Sequence, residues 1–255
     1  MIGAIIGDIA GSCYEFNNTC DYNFDMFGPE HDYTDDTICT IAVADAIMNG
    51  YDYQESMRKW CSRYPHPTGE YGGYFFNWIM RPDPTPYNSF GNGSAMRVSP
   101  VAWLFDTEKE VRLQAEKSAA ITHNHHEGIK GAVAIAVAIF RMRTVRDKSP
   151  EIFIDTAREF YGEHPFDNLP EKGRFDVTCQ GCVPLSLYLA SDAEDFEDAV
   201  RKAVAYGGDS DTVGAIVGSL AEAQFGVDTQ MAETAKKFLP ASMMKILKQF
   251  EQITK

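Results

Sequence analysis

The sequence predicts an all-α fold: one compact multi-helix domain over residues 1–255, built of about ten helices. Three observations carry that reading. Helix-start signals recur, because Asp52 and Thr107 each precede a glutamate by three positions and Ser149-Pro150 places a proline where a helix begins. Apolar residues recur at helical spacing, as in Phe196, Ala199, Val200, Ala203 and Val204. No stretch alternates convincingly between apolar and polar residues, and no linker, low-complexity tract or fixed-period repeat divides the chain.

In chain order, Gly3 to Phe16 is rich in small residues and reads as a first helix. Asp8 and Glu15 are seven apart and so share one face of it. Asn17 to His31 is a polar and aromatic loop that delivers Tyr33-Thr34-Asp35-Asp36-Thr37 to a helix from Ile38 to Met48. Asp52-Tyr53-Gln54-Glu55 opens a helix ending near Arg63, and Tyr74 to Met80 is a short aromatic helix. The prolines of Arg81 to Pro86 forbid regular structure. Ser89-Phe90-Gly91-Asn92-Gly93 suits a backbone held close to a ligand, with Phe90 as a stacking face; an ordinary turn into a helix has the same composition. Thr107 opens a helix to about Ile121. Gly128 to Arg143 is apolar almost all round, which predicts a central buried helix. Glu151 to Tyr161 is helical, and Gly162 to Gly181 is the longest irregular stretch in the second half. Val183 to Ala190, the stripe beginning at Phe196, Val213 to Ala221, Thr229 to Phe238 and Ala241 to Ile253 complete the helices, the last two broken at Pro240.

The 255 residues carry a formal charge of −14. That disfavours a nucleic-acid backbone or an anionic membrane as partner, since both require a basic face. A small phosphorylated ligand is still allowed, because backbone N–H groups can hold it locally. The N-terminal residues have no basic region ahead of an apolar one, and no apolar run is long enough to span a membrane, so a cytoplasmic protein with reduced cysteines is expected. Cys179-Gln180-Gly181-Cys182 lacks two further ligands at zinc spacing, and His123-Asn124-His125 is a sparse metal signal on its own, so zinc is disfavoured at both.

Two stretches place acids and hydroxyls where a helix starts: Thr34-Asp35-Asp36-Thr37, and Gly207-Gly208-Asp209-Ser210-Asp211-Thr212. Each alone could be a capped helix end. Both in one chain suggest a shared site. If Glu15, Asp35, Asp36, Asp209 and Asp211 converge, they cannot all stay ionised without protons or cations. Carboxylate and hydroxyl oxygens are hard donors, suited to Mg²⁺, Mn²⁺ or Ca²⁺ rather than zinc. Two divalent cations would nearly balance five carboxylates and could activate a water. An EF-hand loop starting at Asp209 fails, because Leu220 stands where the bidentate glutamate belongs.

Five motifs occur in order: Gly7-Asp8-Ile9-Ala10-Gly11-Ser12 with Glu15; Tyr33-Thr34-Asp35-Asp36-Thr37; Gly91-Asn92-Gly93-Ser94-Ala95-Met96-Arg97; Thr122-His123-Asn124; and Gly207-Gly208-Asp209-Ser210-Asp211-Thr212. In these the chain resembles the ADP-ribosylglycohydrolase family over about residues 1–226. The resemblance implies that family's all-α fold with a binuclear magnesium or manganese centre. It implies cleavage of the bond between ADP-ribose and an acceptor, an arginine or serine side chain of a protein or a small molecule. Thr34, Asp35, Asp36, Asp209, Asp211 and Thr212 match its metal-binding positions. Glu15 matches a glutamate that gates the site or assists catalysis, and Asp36 or Glu15 would take the proton of the attacking water. Ser89, Phe90, Gly91, Asn92 and Gly93 match the loop that holds ADP-ribose, and His123 a histidine beside it. A monomer is expected. Two rival readings use the same residues: a silent ADP-ribose binder, and a two-metal phosphohydrolase that cuts the pyrophosphate.

Overall fold

Fourteen helices follow one another in the computed structural model, which describes residues 1–254. They are α1 (Ile2–Ser12), α2 (Asp35–Asn49), α3 (Tyr53–Arg63), α4 (Gly73–Met80), α5 (Gly93–Met96), α6 (Ser99–Leu104) and α7 (Glu108–Ala120). Then come α8 (His126–Thr144), α9 (Glu151–Tyr161), α10 (Cys179–Ser191), α11 (Phe196–Tyr206), α12 (Ser210–Phe225), α13 (Thr229–Lys236) and α14 (Ala241–Ile253). The described residues contain no strand; Thr34 with Thr68 and Gly91 with Thr178 form isolated bridges.

The first helix and the twelfth form the central seam. Gly3 faces Gly218, Gly7 faces Gly214, and Gly11 faces Ser210 and Asp211, so the two helices run antiparallel in direct backbone contact. A Cβ at Gly7 would overlap the Gly214 carbonyl. Opening a packed seam to admit it would cost roughly 1–3 kcal/mol or more. Helix α8 packs across α12 and against α7, α9 and α10. Its residues from Ala134 to Ile139 are fully buried, as its all-round apolar sequence requires.

Most helix starts follow the sequence signals. Asp52 accepts from the N–H groups of Gln54 and Glu55, Thr107 from Glu110 and Asp195 from Asp198, each cap contributing about 1 kcal/mol. Several boundaries differ from expectation, among them α12, which starts at Ser210 rather than Val213 and so takes Asp211 and Thr212 into its first turn. The first helix ends at Ser12, so Glu15 lies on the turn beyond it and not on a helical face with Asp8. The carbonyls of Tyr14 and Glu15 accept from the Asn18 side chain instead of from later helical N–H groups. Helix α2 starts at Asp35 rather than Ile38, with Thr34 as its cap, which puts both acids in its first turn. Helix α10 begins at Cys179, because the Thr178 hydroxyl accepts from the Gly181 N–H. Two short helices, α5 and α6, fill the stretch between the glycine loop and Thr107, where the sequence reading assigns no element.

All six cysteines are free. No helix among the described residues is long and apolar enough to cross a membrane.

Candidate active site

The seam brings the N-terminal ends of α2 and α12 together over α1. Asp8, on α1 and fully buried, holds the first of them. Its carboxylate accepts from the Thr34 N–H (3.0 Å), the Thr34 hydroxyl (2.7 Å), the Thr37 N–H (3.0 Å) and the Thr37 hydroxyl (2.5 Å). Thr34 and Asp36 are thereby fixed in place. The Thr212 hydroxyl, from α12, donates to Asp36 Oδ2 at 3.2 Å and ties the two helix ends together. Asp209 accepts from Asn92 Nδ2 at 2.5 Å, and Asp211 from the Thr212 N–H at 2.9 Å.

The carboxylates fall into two groups whose oxygens lie within 4.8 Å of one another: Asp8, Asp36 and Asp211, and Glu15, Asp209 and Asp211. Asp211 belongs to both. Among the described residues, no histidine or cysteine joins such a group. Cys179 and Cys182 are buried beneath the glycine loop, where their thiols donate to the carbonyls of Gly91 and Asp176. His125 caps α8.

Burial and mutual repulsion push these acids up. Asp8 rises to about 6 because burial outweighs its four hydrogen bonds. Burial and then Asp8 and Asp209 raise Asp35 to about 7. Burial followed by Asp209, Asp35 and Asp8 raises Glu15 to about 8. Asp36 and Asp211 are pushed well above the usual carboxylate range by burial and then by neighbouring aspartates. A helix N-terminus favours a negative charge by only about 0.3–1 kcal/mol, too little to hold so many buried carboxylates ionised. Asp36 Oδ1 is buried with no hydrogen-bond partner at all. A hard cation fits that donor set: clustered oxygens, one of them unpartnered, in a pocket of like charge.

The acids form the floor of a cavity of about 420 Å³. One wall is the glycine loop, where Ser89, Gly91, Asn92 and Gly93 all reach the space, with His123 behind it. Its N–H groups at Gly91 and Asn92 are already used, by Ser89 Oγ and the Val177 carbonyl. The opposite side is Glu15 with Gly69, Glu70 and the aromatic start of α4. Burial and the nearby Arg97 hold His123 well below its usual range, so it is neutral.

Of the expected residues, Glu15, Asp35, Asp36, Asp209, Asp211, Thr212, Ser89, Gly91, Asn92, Gly93 and His123 surround this one cavity. Two do not. Thr34 is fully buried behind Asp36, its hydroxyl donated to Asp8. The Phe90 ring is 44 % exposed and rests on His125 at 5.3 Å, outside the cavity walls. It is the Phe90 carbonyl that is fixed, by the Cys179 N–H. The aromatic rings within the walls include two stacked pairs, Tyr87 with Tyr74 and Phe175 with Phe16. Sequence reasoning gave no role to Asp8 or Arg97, although both stand inside the quoted motifs. Arg97 is buried and donates to the Ser118 carbonyl and the Thr122 hydroxyl.

A family model described as ADP-ribosylglycohydrolase matches residues 1–254. The chain belongs to that family. Among ADP-ribosylglycohydrolase relatives, ADP-ribosylhydrolase ARH3 of Danio rerio is 24 % identical, over 89 % of this chain and 83 % of that protein. ADP-ribosyl-(dinitrogen reductase) glycohydrolase of Rhodospirillum rubrum is 27 % identical, over 76 % and 69 %. ADP-ribosylarginine hydrolase Tri1 of Pseudomonas putida is 24 % identical, over 93 % and 72 %. A solved structure described as an ADP-ribosylglycohydrolase-related protein complex superposes with a TM-score of 0.71 at 23 % identity, covering 99 % of this chain and 92 % of that one; it shares the fold.

Proposed function

We propose that this chain is a divalent-cation-dependent hydrolase that cleaves the glycosidic bond between ADP-ribose and an acceptor and releases ADP-ribose. The acceptor is an arginine or serine side chain of a modified protein, or a small ADP-ribosylated molecule. The observation that carries the reading is the pair of carboxylate groups sharing Asp211 at the floor of a ligand-sized cavity. Family membership and the relatives' names support the reaction class.

Two cations, Mg²⁺ or Mn²⁺, would be held by Thr34, Asp35, Asp36, Asp209, Asp211 and Thr212, and when bound they supply Lewis-acid polarisation of ribose hydroxyls and of a water. The protein's own groups do the rest. Glu15 and Asp36 both line the cavity, but Asp36 is only 2 % exposed, so Glu15 is the better-placed carboxylate to take the water's proton. Its raised affinity for protons, about 8, suits a base working near neutral pH. The reacting sugar passes through an oxocarbenium-like state, which the surrounding carboxylates favour. Ser89, Gly91, Asn92, Gly93 and neutral His123 form the wall against ADP-ribose; Phe90 acts through its pinned backbone and not through its ring. The enzyme works as a single domain over residues 1–255, as a cytoplasmic monomer, without nucleic acid or membrane.

The test is incubation with ADP-ribosylated arginine and serine peptides plus Mg²⁺ or Mn²⁺, with products identified by mass. Free ADP-ribose is expected. AMP would point to the pyrophosphate instead, and binding without product would mark a silent binder.

A further inference from the structure

Asn18 stands on an exposed loop, outside every motif that marks the site. Its side-chain hydrogen bonds nevertheless all go to main chain, from both ends of the amide. Oδ1 accepts from the Gly208 N–H at 2.7 Å, and Nδ2 donates to the Gly208 carbonyl at 2.9 Å. Nδ2 also meets the carbonyls of Tyr14 (2.7 Å) and Glu15 (3.0 Å). The two amide hydrogens serve three carbonyls, so one hydrogen is shared.

The consequence lies in what those carbonyls belong to. Glu15 and Asp209 are two of the three members of the second carboxylate group. Glu15 is outside α1, on a turn with no helical hydrogen bonds to fix it, and Asp209 follows Gly208, whose φ is +87°. That backbone conformation is open to glycine but shallow, and needs an outside contact to select it. Asn18 supplies the contact: its amide pairs with both polar groups of Gly208, as a neighbouring strand would. One side chain thus sets the position of the Glu15 turn relative to the turn that carries Asp209, across 190 residues of sequence. The first carboxylate group, Asp8, Asp36 and Asp211, is held by Thr34, Thr37 and Thr212 and owes nothing to Asn18.

We infer that Asn18 is a positioning residue for one of the two cation positions, the one to which Asp209 and Asp211 would supply ligands and beside which Glu15 stands. The inference rests on the proposed function only in taking the two carboxylate groups as cation sites.

Mn²⁺ binding to the purified full-length chain, followed by the electron paramagnetic resonance signal of free Mn²⁺, tests this without any turnover. Wild type is expected to take up two Mn²⁺. Asn18→Ala should weaken one of the two by about tenfold, as loss of a group that orients a ligand does, and leave the other within about twofold. Its melting temperature in chelator should stay close to wild type, because Asn18 is exposed. Asn18→Gln, which keeps the amide on a longer stem, should recover part of the lost affinity. Two unchanged affinities in Asn18→Ala would overturn the inference. So would equal weakening of both together with a lower melting temperature in chelator, which marks a merely structural role. A wild type that binds two Mn²⁺ but releases no ADP-ribose rejects the glycohydrolase reading and leaves the Asn18 result standing. A wild type that binds no Mn²⁺ rejects both.

Discussion

At the start of α2, four hydrogen bonds converge on one buried carboxylate, Asp8; at the start of α12, two glycines of positive φ and an exposed asparagine do the holding. Both ends present acids to the same cavity. The α2 end is built from inside, by side chains of the central seam, and cannot shift without disturbing the core. The α12 end is held from both sides: from inside by Ser210 on the Gly11 carbonyl and Asn92 on Asp209, and from outside where Gly173 donates to the Tyr206 carbonyl and Asn18 pairs with Gly208. One half of the site is therefore held wholly by the core, and the other by the core together with surface loops. A relative could retune the second half by loop changes alone.

Asp211 bridges the halves, so its loss is the harshest challenge to the comparison. Asp211→Asn should lower kcat/KM by at least about a thousandfold with the fold intact by circular dichroism, since it removes a ligand from both groups. Activity within a few-fold of wild type would sink the assignment of both groups.

Metal and proton compete for the same oxygens, and melting curves read that competition. A cation at a hundredfold excess over its Kd stabilises by about 2.7 kcal/mol. For a chain of this size that is a rise on the order of 2–4 °C per kcal/mol. Combining Asp35→Asn with Asp211→Asn should raise the melting temperature in chelator and erase the metal increment. If the acids were only helix caps, the same pair would lower it. The pH dependence has a definite sign. Asp8 near 6, Asp35 near 7 and Glu15 near 8 all lie above the ordinary carboxyl value of the unfolded chain. The folded state therefore binds more protons between roughly pH 4 and 8, and in chelator stability falls as pH rises through that window. With Mn²⁺ present the fall should vanish, because cations replace the protons. A chelated protein that melts higher at pH 8 than at pH 5.5 contradicts the electrostatics of the site.

The inner half alone is probed by Thr37→Val. It deletes a hydroxyl donor to Asp8 while keeping the side chain's shape. A loss of about 1.5–3 kcal/mol is expected, the range for a hydrogen bond to a charged group, and denaturant titration measures it. An unchanged midpoint would mean that Asp8 does not hold the α2 end. The smallest effect belongs to Phe90→Ala. Stacking an adenine on a ring contributes on the order of 1–3 kcal/mol. Because the Phe90 ring lies outside the walls, ADP-ribose affinity should change less than threefold by calorimetry; a tenfold loss would restore the ring as a platform.

What could be read from the sequence follows the same division. The α2 end was legible, since Thr34-Asp35-Asp36-Thr37 is a capping signal with surplus acid. The long buried helix α8 was legible from its composition. Asp8 was visible as a letter in a motif, but its four donors belong to residues 26 and 29 positions away, and only the fold brings them together. Glu15 was placed on a helical face because a small-residue run does not show where a helix stops. Its stop depends on Asn18 reaching back, and forward to Gly208. That the Phe90 ring lies outside the cavity was hidden for a related reason: a loop sequence shows which residues are present, not which side of the loop each one faces.

The glycine contact between α1 and α12 also has a consequence in time. The Ser210 hydroxyl reaches the Gly11 carbonyl across 199 residues. Synthesis at about 5–20 residues per second separates the emergence of these two helices by roughly 10–40 s. Through that interval α1, apolar on nearly every side, lacks its main partner and is covered only in part by α2 and α11. Closing so long a loop is entropically costly and slow. The nascent chain must therefore carry a partly uncovered helix until its twelfth one arrives, and a chaperone that shields the first dozen residues is expected to raise the yield of folded protein.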